Sequence, residues 1–249
     1  MELVVLGSGT AIPHPYRNPT GFLVRSPGLN ILVDTGPGTI HRLPRVGVKF
    51  QEIQEIFYTH VHPDHFLDII ALLFAKRLPG IVNAPSLTIR GGPGLADLVN
   101  QFRALLHPWL EPVGYDLQVK EYRSTLKLNG WIVRACPLRH HTSSLAYRFE
   151  DERGRSMVIS GDTGEDEALE EFACDTSLLV LECSFPEGEG IEGHLTPSEA
   201  GKLASRAQAK RLLLTHFYPA CDGKELLVPC QAVFDGEVLL AHDWMRVAI

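Results

Sequence analysis

Three imidazoles and one carboxylate lie within six consecutive residues of this chain, in the order His60, His62, Asp64 and His65. Side chains at positions i and i+2 of an extended segment point to the same side, so His60 and His62 can bind one ion together. Asp64 and His65 lie beyond the turn and suit a second ion close by. Imidazole and carboxylate ligands favour Zn²⁺, with Mn²⁺ or Fe²⁺ as alternatives.

The segments on either side of this stretch predict how it is held. Residues 55–59 form an apolar run typical of a buried strand, and residues 66–78 form an apolar run of helical length. A strand end that opens into a helix is a rigid support for a metal site. Only 11 histidines occur in 249 residues and three of them are here, which favours a metal site over a surface cluster without a role.

Three further apolar runs end in residues of metal-ligand type. His140 and His141 follow the run at residues 131–139, Asp162 follows the run at 156–160, and His216 follows the run at 211–215. A single histidine after a strand carries little weight by itself. If these strands are neighbours, however, all their ends lie at one edge of the fold, and together with the first stretch they predict one metal centre.

Many short strands with a few helices between them predict two sheets packed face to face, with helices outside. Strands are predicted at residues 3–6, 21–25, 30–34, 53–58, 87–90, 117–122, 131–135, 145–149, 157–160, 178–181, 211–215 and 238–241. Helices are predicted at residues 63–78, 94–106, 166–172 and 197–209, and Thr196, Pro197 and Glu199 form a capping pattern at the start of the last. Because no linker or low-complexity tract interrupts the chain, residues 1–249 are predicted to form a single domain.

The composition, 45% hydrophobic and 21% charged, is that of an ordinary globular enzyme. No apolar run approaches the ~20 residues of a membrane helix, and the acidic N-terminal segment is predicted to be a strand rather than a signal peptide. Five cysteines, an odd number without a CxxC pair, predict reduced thiols and a cytoplasmic protein. A net charge of −7 lacks the basic field that binding of extended nucleic acid requires.

The motifs resemble those of the metallo-β-lactamase fold and, within it, the ribonuclease Z-like branch that also includes bacterial phosphodiesterases. Residues 59–65 (THVHPDH) match the superfamily signature. Residues 6–10 (LGSGT), 34–39 (DTGPGT), 181–185 (LECSF) and 193–196 (GHLT) resemble segments of this branch. Glyoxalase II shares the central signature, but not the segments at residues 6–10 and 193–196. The resemblance spans nearly the whole chain and implies an α+β four-layer αββα sandwich.

The resemblance further implies a centre with two metal ions. One ion would be bound by His60, His62 and His140, the other by Asp64, His65 and His216, and both by a bridging Asp162. His141 is an alternative to His140, but the seven-residue spacing from His140 to Tyr147 favours His140. The roles of His141 and Arg139 stay open.

Two cations that share one water lower the pKa of that water towards neutrality and hold the resulting hydroxide for attack. Asp64 can accept the proton of the water. His194, in a loop just before the helix predicted at residues 197–209, is the candidate donor of a proton to the departing alkoxide. Glu182 is predicted to hold His194 in its donor orientation.

The chain also departs from the transfer-RNA 3′-processing enzymes of this branch. Those enzymes carry a basic arm between the third and fourth ligand motifs, whereas His140 and Asp162 are only 22 positions apart here. Pro63 stands where a glycine is usual, and residues 217–220 (FYPA) replace the Ser-Arg-Tyr that follows the last metal-binding histidine.

These departures predict a phosphodiesterase that acts on a small or cyclic phosphodiester or a short nucleic acid. The expected partners are then a small substrate and, in a homodimer, a second copy of the chain. Neither a membrane nor an extended nucleic acid is expected to bind. The alternatives are a thioester or lactone hydrolase similar to glyoxalase II, or a transfer-RNA 3′-processing endoribonuclease. A non-catalytic metal-binding protein is disfavoured by the complete ligand set.

Overall fold

The computed structural model describes residues 1–78, 85–121 and 125–249, and within these ranges it has fourteen strands and seven α-helices. The strands are β1 (Glu2–Gly7), β2 (Gly21–Ser26), β3 (Leu29–Thr35), β4 (Glu55–Phe57), β5 (Leu87–Gly91), β6 (Leu117–Glu121), β7 (Leu126–Leu128), β8 (Trp131–Pro137), β9 (Leu145–Glu150), β10 (Ser156–Ile159), β11 (Leu178–Glu182), β12 (Arg211–Thr215), β13 (Glu237–Leu240) and β14 (Arg246–Ala248). The helices are α1 (Thr39–Arg42), α2 (Pro63–Phe66), α3 (Asp68–Arg77), α4 (Leu95–Leu105), α5 (Glu167–Phe172), α6 (Pro197–Arg206) and α7 (Leu227–Gln231).

The strands form two seven-stranded mixed sheets. The first has the order β14-β1-β2-β3-β4-β5-β6, and the second has the order β13-β12-β11-β10-β9-β8-β7. In the first sheet β3, β4, β5 and β6 run parallel, and in the second β10, β11, β12 and β13 run parallel. Parallel strands bring their carboxyl ends to one edge of the sheet, where the residues that follow them meet.

A hydrophobic core joins the inner faces of the two sheets. Phe57 of the first sheet packs edge-to-face against Tyr147 and Phe149 of the second, with ring centroids 5.1 and 5.6 Å apart. Helices α1–α4 pack with the first sheet around a separate apolar cluster, and α5–α7 contact strands of the second sheet. The architecture is therefore the predicted αββα sandwich.

The elements differ from the predicted ones mainly at their ends. The helix predicted at residues 63–78 is two helices, because the chain turns at Leu67 between α2 and α3. The strand predicted at residues 53–58 is reduced to β4, because a short 3-10 helix precedes it and the amide of Ile53 donates to the carbonyl of Phe50 at 3.3 Å. Four short elements, α1, α7, β7 and β14, were not predicted, because each spans too few residues to show a hydrophobic period. Residue 122, the predicted end of β6, lies outside the described residues.

The predicted helix start at Thr196 is confirmed. Glu199 Oε2 accepts hydrogen bonds from the amide of Thr196 at 2.8 Å and from its hydroxyl at 2.7 Å, and Pro197 is the first residue of α6. The five cysteines are free of disulfides in this structure, and Cys183, Cys221 and Cys230 are buried. Among the described residues, no helix combines the length and apolar character needed to cross a membrane.

Candidate metal centre

Seven side chains that follow or flank strand ends converge at one edge of the sandwich. They form two groups, and within each group the potential ligand atoms lie within 4.8 Å of one another. The first group is His60, His62, His140 and Asp162, and the second is Asp64, His65 and His216. The sequence predicted this division into two sets of ligands. The strands that position these side chains are β4, β8, β10 and β12.

Asp162 lies between the two groups and turns one oxygen towards each. Its Oδ1 lies 3.2 Å from Nε2 of His65 and 3.5 Å from Nε2 of His216. Its Oδ2 lies 3.7 Å from Nε2 of His60 and 3.9 Å from Nε2 of His140. A carboxylate with this orientation can serve both groups at once.

Two glycines permit the close packing behind these ligands. Gly161, directly before Asp162, has a φ of +69°, and a Cβ there would lie 2.5 Å from Cβ of Thr59. A Cβ on Gly36 would lie 2.1 Å from the carbonyl oxygen of Asp64. Larger residues would displace the two carboxylates from the centre.

His65 is oriented by the fully buried carboxylate of Asp34, at the end of β3. Asp34 Oδ2 lies 2.8 Å from Nδ1 of His65, and because an ionised carboxylate only accepts hydrogen bonds, this nitrogen is the donor. The amide and the hydroxyl of Thr59 each donate to Asp34 at 2.7 Å. Nε2 of His65 is thereby directed at the centre, where a metal ion can take the place of its proton.

His216 and His140 are held in the same way. Nδ1 of His140 donates to the carbonyl of Gly193 at 3.1 Å. Nδ1 of His216 lies 3.0 Å from Oγ of Ser184, whose proton is committed to Glu182, so the serine oxygen accepts from His216. Both histidines therefore present Nε2 to the centre.

This arrangement fits a divalent cation. Nε2 of His65 and Nε2 of His216 are 3.2 Å apart and both face Asp162. Two imidazole nitrogens and a carboxylate at this separation need positive charge among them, which protons on the histidines or a bound cation can supply. Nε2 of His60 and Oδ1 of Asp162 are also buried without a hydrogen-bond partner among the described residues. Unpaired buried polar atoms of this kind are stabilised when they coordinate a metal.

Burial, together with the neighbouring imidazoles, lowers the pKa values of two histidines. The pKa of His60 is held well below its usual range by burial and then by His65, and the pKa of His62 is lowered by burial and by His140. The neutral imidazole is the form that coordinates a metal. These two side chains are therefore ready to bind without first losing a proton.

The carboxylates of the centre are ionised. Burial opposes ionisation of Asp162, but the charges of His216 and His65 outweigh it and hold the pKa of Asp162 well below its usual range. The pKa of Asp64 is lowered because its interaction with His216, at 3.5 Å, also outweighs burial. The pKa of His65 is raised well above its usual range, because Asp162 and Asp34 outweigh burial, so this position favours positive charge.

The predicted pair of His194 and Glu182 is in contact. Nδ1 of His194 lies 2.8 Å from Oε1 of Glu182, which is almost fully buried. Glu182 also accepts hydrogen bonds from the backbone amides of Thr163 at 2.9 Å, Ser184 at 3.2 Å and Leu195 at 3.3 Å. Burial lowers the pKa of His194, but the carboxylate of Glu182 outweighs it and raises that pKa above its usual value.

His194 lies close enough to the centre to act on a bound substrate. A ring nitrogen of His194 falls within 4.8 Å of ligand atoms of Asp162 and His216. Because Nδ1 is committed to Glu182, Nε2 is the nitrogen that can donate a proton. The same proximity would also allow a ligand role.

His141 and Arg139 lie outside both ligand groups. His141 is exposed, and its Nδ1 lies 2.8 Å from Oγ of Ser143. Arg139 is exposed, and its amide donates to Asp166 at 3.1 Å. The geometry therefore places His140, and not His141, among the converging side chains.

Two cavities adjoin the centre. The first, here named the His194 cavity, has a volume of about 660 Å³ and is lined by His140 and His194. The second, the Asp64 cavity, has a volume of about 480 Å³ and is lined by Pro63 and Asp64. Both volumes lie in the range of small-molecule sites.

Sequence reasoning missed the residues that orient the ligands. Asp34 lies in the DTGPGT segment that resembles the family, but its contact with His65 joins positions 31 residues apart. Ser184 follows β11, and its contact with His216 spans 32 residues. The one available signal was a polar residue at the end of a buried strand or shortly after it.

Residues 29–217 match the family model of the beta-lactamase superfamily domain, and the chain belongs to this family. The ribonuclease Z of Haloferax volcanii is 29% identical over an alignment that covers all of this chain and 95% of that protein. The metallo-beta-lactamase fold protein YhfI of Bacillus subtilis has a TM-score of 0.83 at 25% identity, covering 99% of this chain and 98% of that one. The short form of human tRNase Z has a TM-score of 0.82 at 26% identity, covering 100% of this chain and 99% of that one.

These findings agree with the geometry of the centre. The chain is a hydrolytic enzyme of the metallo-β-lactamase fold, and its histidines and aspartates form a cluster that can hold divalent metal. The resemblance inferred from the motifs is thereby confirmed.

Proposed function

We propose that this chain is a dinuclear metal-dependent phosphodiesterase that acts on a small or cyclic phosphodiester or a short nucleic acid. The observation that carries the proposal is Asp162, whose two oxygens face two separate groups of imidazole and carboxylate ligands. Residues 1–249 would act as one domain, since the core between the two sheets includes residues from Leu3 to Val247.

The residues present would hold two ions, with zinc favoured by the imidazole-rich set and Mn²⁺ or Fe²⁺ as alternatives. One ion would bind to His60, His62 and His140, the other to Asp64, His65 and His216, and Asp162 would bridge them. When bound, the ions would lower the pKa of a water and draw charge from the phosphoryl oxygens.

The protein's own side chains would then move the protons. Asp64, which is ionised, would accept the proton of the attacking water. Nε2 of His194 would donate a proton to the leaving oxygen, because Glu182 keeps Nδ1 occupied and favours the charged imidazole. Glu182 would act as a positioning residue, since it touches His194 and not the substrate.

Two observations support a small substrate. The segment from His140 to Asp162 contains only β9 and β10, joined by a tight turn in which the amide of Asp151 donates to the carbonyl of Arg155 at 3.0 Å. No arm that could hold a folded RNA is present in this fully described segment. The net charge of −7 also disfavours a long polyanion.

Transfer-RNA 3′ processing is the second candidate, favoured by the ribonuclease Z of Haloferax volcanii, which matches the full chain. That alignment extends over 307 positions although this chain has 249 residues, so the relative has residues without a counterpart here. Incubation with a precursor transfer RNA, followed by gel electrophoresis, separates the candidates. We expect little cleavage, and rapid, accurate 3′ cleavage would establish the second candidate instead.

The main proposal is tested in two steps. Elemental analysis of the purified protein after reconstitution with Zn²⁺ should give two ions per chain, and a trace amount would contradict the dinuclear site. The reconstituted protein should then hydrolyse bis-p-nitrophenyl phosphate faster than a thioester or a lactone. Preference for either carbonyl substrate would indicate an enzyme similar to glyoxalase II. Light scattering would show whether the chain forms the predicted homodimer.

A further inference from the structure

The two cavities at the centre differ in chemistry, and their described lining residues do not overlap. The His194 cavity carries charged and polar groups that include Arg139, Glu165, Glu192 and Glu199. The Asp64 cavity is walled largely by apolar side chains: Ala11, Ile12, Pro13, Pro19, Pro37 and Pro63. A phosphodiester has two arms, and the centre between the cavities holds its phosphate in the function proposed above.

We propose that the cavities sort the two arms of the substrate. The arm that stays on the phosphate occupies the Asp64 cavity and is apolar or planar, and the leaving arm occupies the His194 cavity and is polar and uncharged, such as a polyol. The inference rests on the proposed function and names the substrate class for it, an asymmetric phosphodiester.

The position of the proton donor assigns the leaving arm. The oxygen of water forms a bond to phosphorus, and the bond between phosphorus and the leaving oxygen breaks with its electron pair on that oxygen. His194 supplies the proton that this oxygen needs, and Asp64 accepts the proton lost by the water. The products are a phosphomonoester and an alcohol. The arm whose oxygen is protonated must therefore lie beside His194, in the cavity that His194 lines.

The polar groups at the Asp64 cavity are already paired with other side chains. Arg17 forms an ion pair with Asp222, and Nε2 of His14 lies 2.9 Å from Oδ2 of the same carboxylate. Asn18 donates to Asp243 from its backbone amide at 3.0 Å and from its side-chain amide at 3.2 Å. Because these polar groups are already paired, the six apolar residues dominate the wall of the cavity. An apolar arm therefore has a smaller free-energy cost of transfer from water into this cavity than a polar arm.

The charges in the His194 cavity disfavour an anionic leaving arm. Glu199 is committed to the start of α6 through its two hydrogen bonds with Thr196. Glu165 and Glu192 add further negative charge, so that three carboxylates face the cations of Arg139 and the protonated His194 among the residues that line this cavity. An arm with hydroxyl groups can bond to these carboxylates, whereas an arm with its own phosphate would be repelled.

A matched pair of variants tests the assignment. Ile12 and Ile191 each line one cavity and are 47% and 55% exposed, so a larger side chain can be placed there without disturbing the core. Ile12→Trp narrows the Asp64 cavity, and Ile191→Trp narrows the His194 cavity. Two pairs of substrates vary one arm at a time. Methyl and 1-naphthyl p-nitrophenyl phosphate differ in the retained arm, and 1-naphthyl glyceryl and 1-naphthyl ethyl phosphate differ in the leaving arm.

The wild-type protein should prefer the naphthyl over the methyl retained arm by about 10- to 100-fold in kcat/KM, because the cavity buries an aromatic group. Ile12→Trp should remove most of this preference and keep the ratio between glyceryl and ethyl leaving arms. Ile191→Trp should change only the second ratio. A wild-type preference for the ethyl over the glyceryl leaving arm would overturn the assignment of the His194 cavity.

Direct binding separates failure of this inference from failure of the proposed function. Calorimetry on the zinc-loaded protein should show tighter binding of 1-naphthyl phosphate than of methyl phosphate, and Ile12→Trp should weaken only the former. Diester hydrolysis with no dependence on the retained arm, or equal effects of the two variants, would overturn the inference alone. A protein that hydrolyses none of the diesters would refute the proposed function itself.

Discussion

Replacement of His194 by alanine should affect substrates according to how much their leaving groups need a proton. A departing alkoxide is a strong base and requires protonation, whereas a nitrophenolate departs readily without it. His194→Ala should therefore greatly slow hydrolysis of an alkyl phosphodiester and slow a p-nitrophenyl ester much less. The two proposed metal ions should remain, because neither predicted set of ligands includes His194.

The contacts of His194 set the size of the effect. Loss of a positioned proton donor typically costs about 10²–10⁴ in rate. Glu182→Gln tests the support, because Glu182 Oε1 lies 2.8 Å from Nδ1 of His194 and three backbone amides hold the carboxylate in place. A hydrogen bond to a charged group contributes about 1.5–3 kcal/mol, so this variant should lose about 10- to 150-fold on the alkyl substrate.

The assay compares kcat/KM for an alkyl and a p-nitrophenyl phosphodiester in the wild type, His194→Ala and Glu182→Gln, with metal content measured on each preparation. His141→Ala is the matched control, since His141 is exposed and lies outside both ligand groups. Equal losses on the two substrates would refute the proton-donor role and indicate substrate positioning. Loss of metal in His194→Ala would make this residue a ligand.

Three further predictions concern the ligands and one buried lysine. Asp162→Ala should lose at least one metal ion, measured by elemental analysis, and its phosphodiesterase activity, because two close cations would lack their shared carboxylate. Full metal occupancy in this variant would contradict a bridging role for Asp162. Loss of a residue that only hydrogen-bonds to a metal ligand typically weakens metal binding about 10- to 100-fold, and His140→Ala should weaken zinc binding by more than this. His141→Ala should leave zinc binding unchanged. The reverse result would make His141 the ligand in place of His140. Burial lowers the pKa of Lys76 to about 8 from 10.5, so the folded state binds fewer protons between these values and its stability should rise from pH 8 to pH 10.5. Lys76→Met should raise the free energy of unfolding, measured in urea at pH 7, by about 1–3 kcal/mol and should flatten the increase of stability between pH 8 and pH 10.5. An unchanged pH profile of stability would contradict a lowered pKa for Lys76.

The convergence of the ligands could be predicted because each follows a buried strand. Asp162 follows β10 and His216 follows β12, and these runs of four and five buried or nearly buried residues are recognisable from hydrophobicity alone. Neighbouring strands then bring their ends to one edge, and the sequence analysis had to assume that these strands are neighbours. The capping box at Thr196 was equally readable, because it depends on residues three positions apart.

What could not be predicted depends on contacts between distant segments. The hydrogen bond from His65 to Asp34 and that from His216 to Ser184 join segments that only the folded chain brings together. Both Asp34 and His216 also have a positive φ, near 59°, which no local pattern in the sequence indicates. Backbone strain of this kind is tolerated where surrounding contacts fix the residue, as Thr59 does for Asp34.

The departures from the branch acquire a physical meaning in the structure. Pro63, which replaces the usual glycine of the signature, is the first residue of α2 and lines the Asp64 cavity. Tyr218, in the segment that replaces Ser-Arg-Tyr, stacks on Phe185 with ring centroids 4.9 Å apart and lies 5.8 Å from the ring of His216. Both changes add apolar surface beside the ligands and neither adds positive charge. The converging side chains therefore agree with the ligand set that the resemblance implies, and their surroundings support the proposal of a compact, partly apolar substrate.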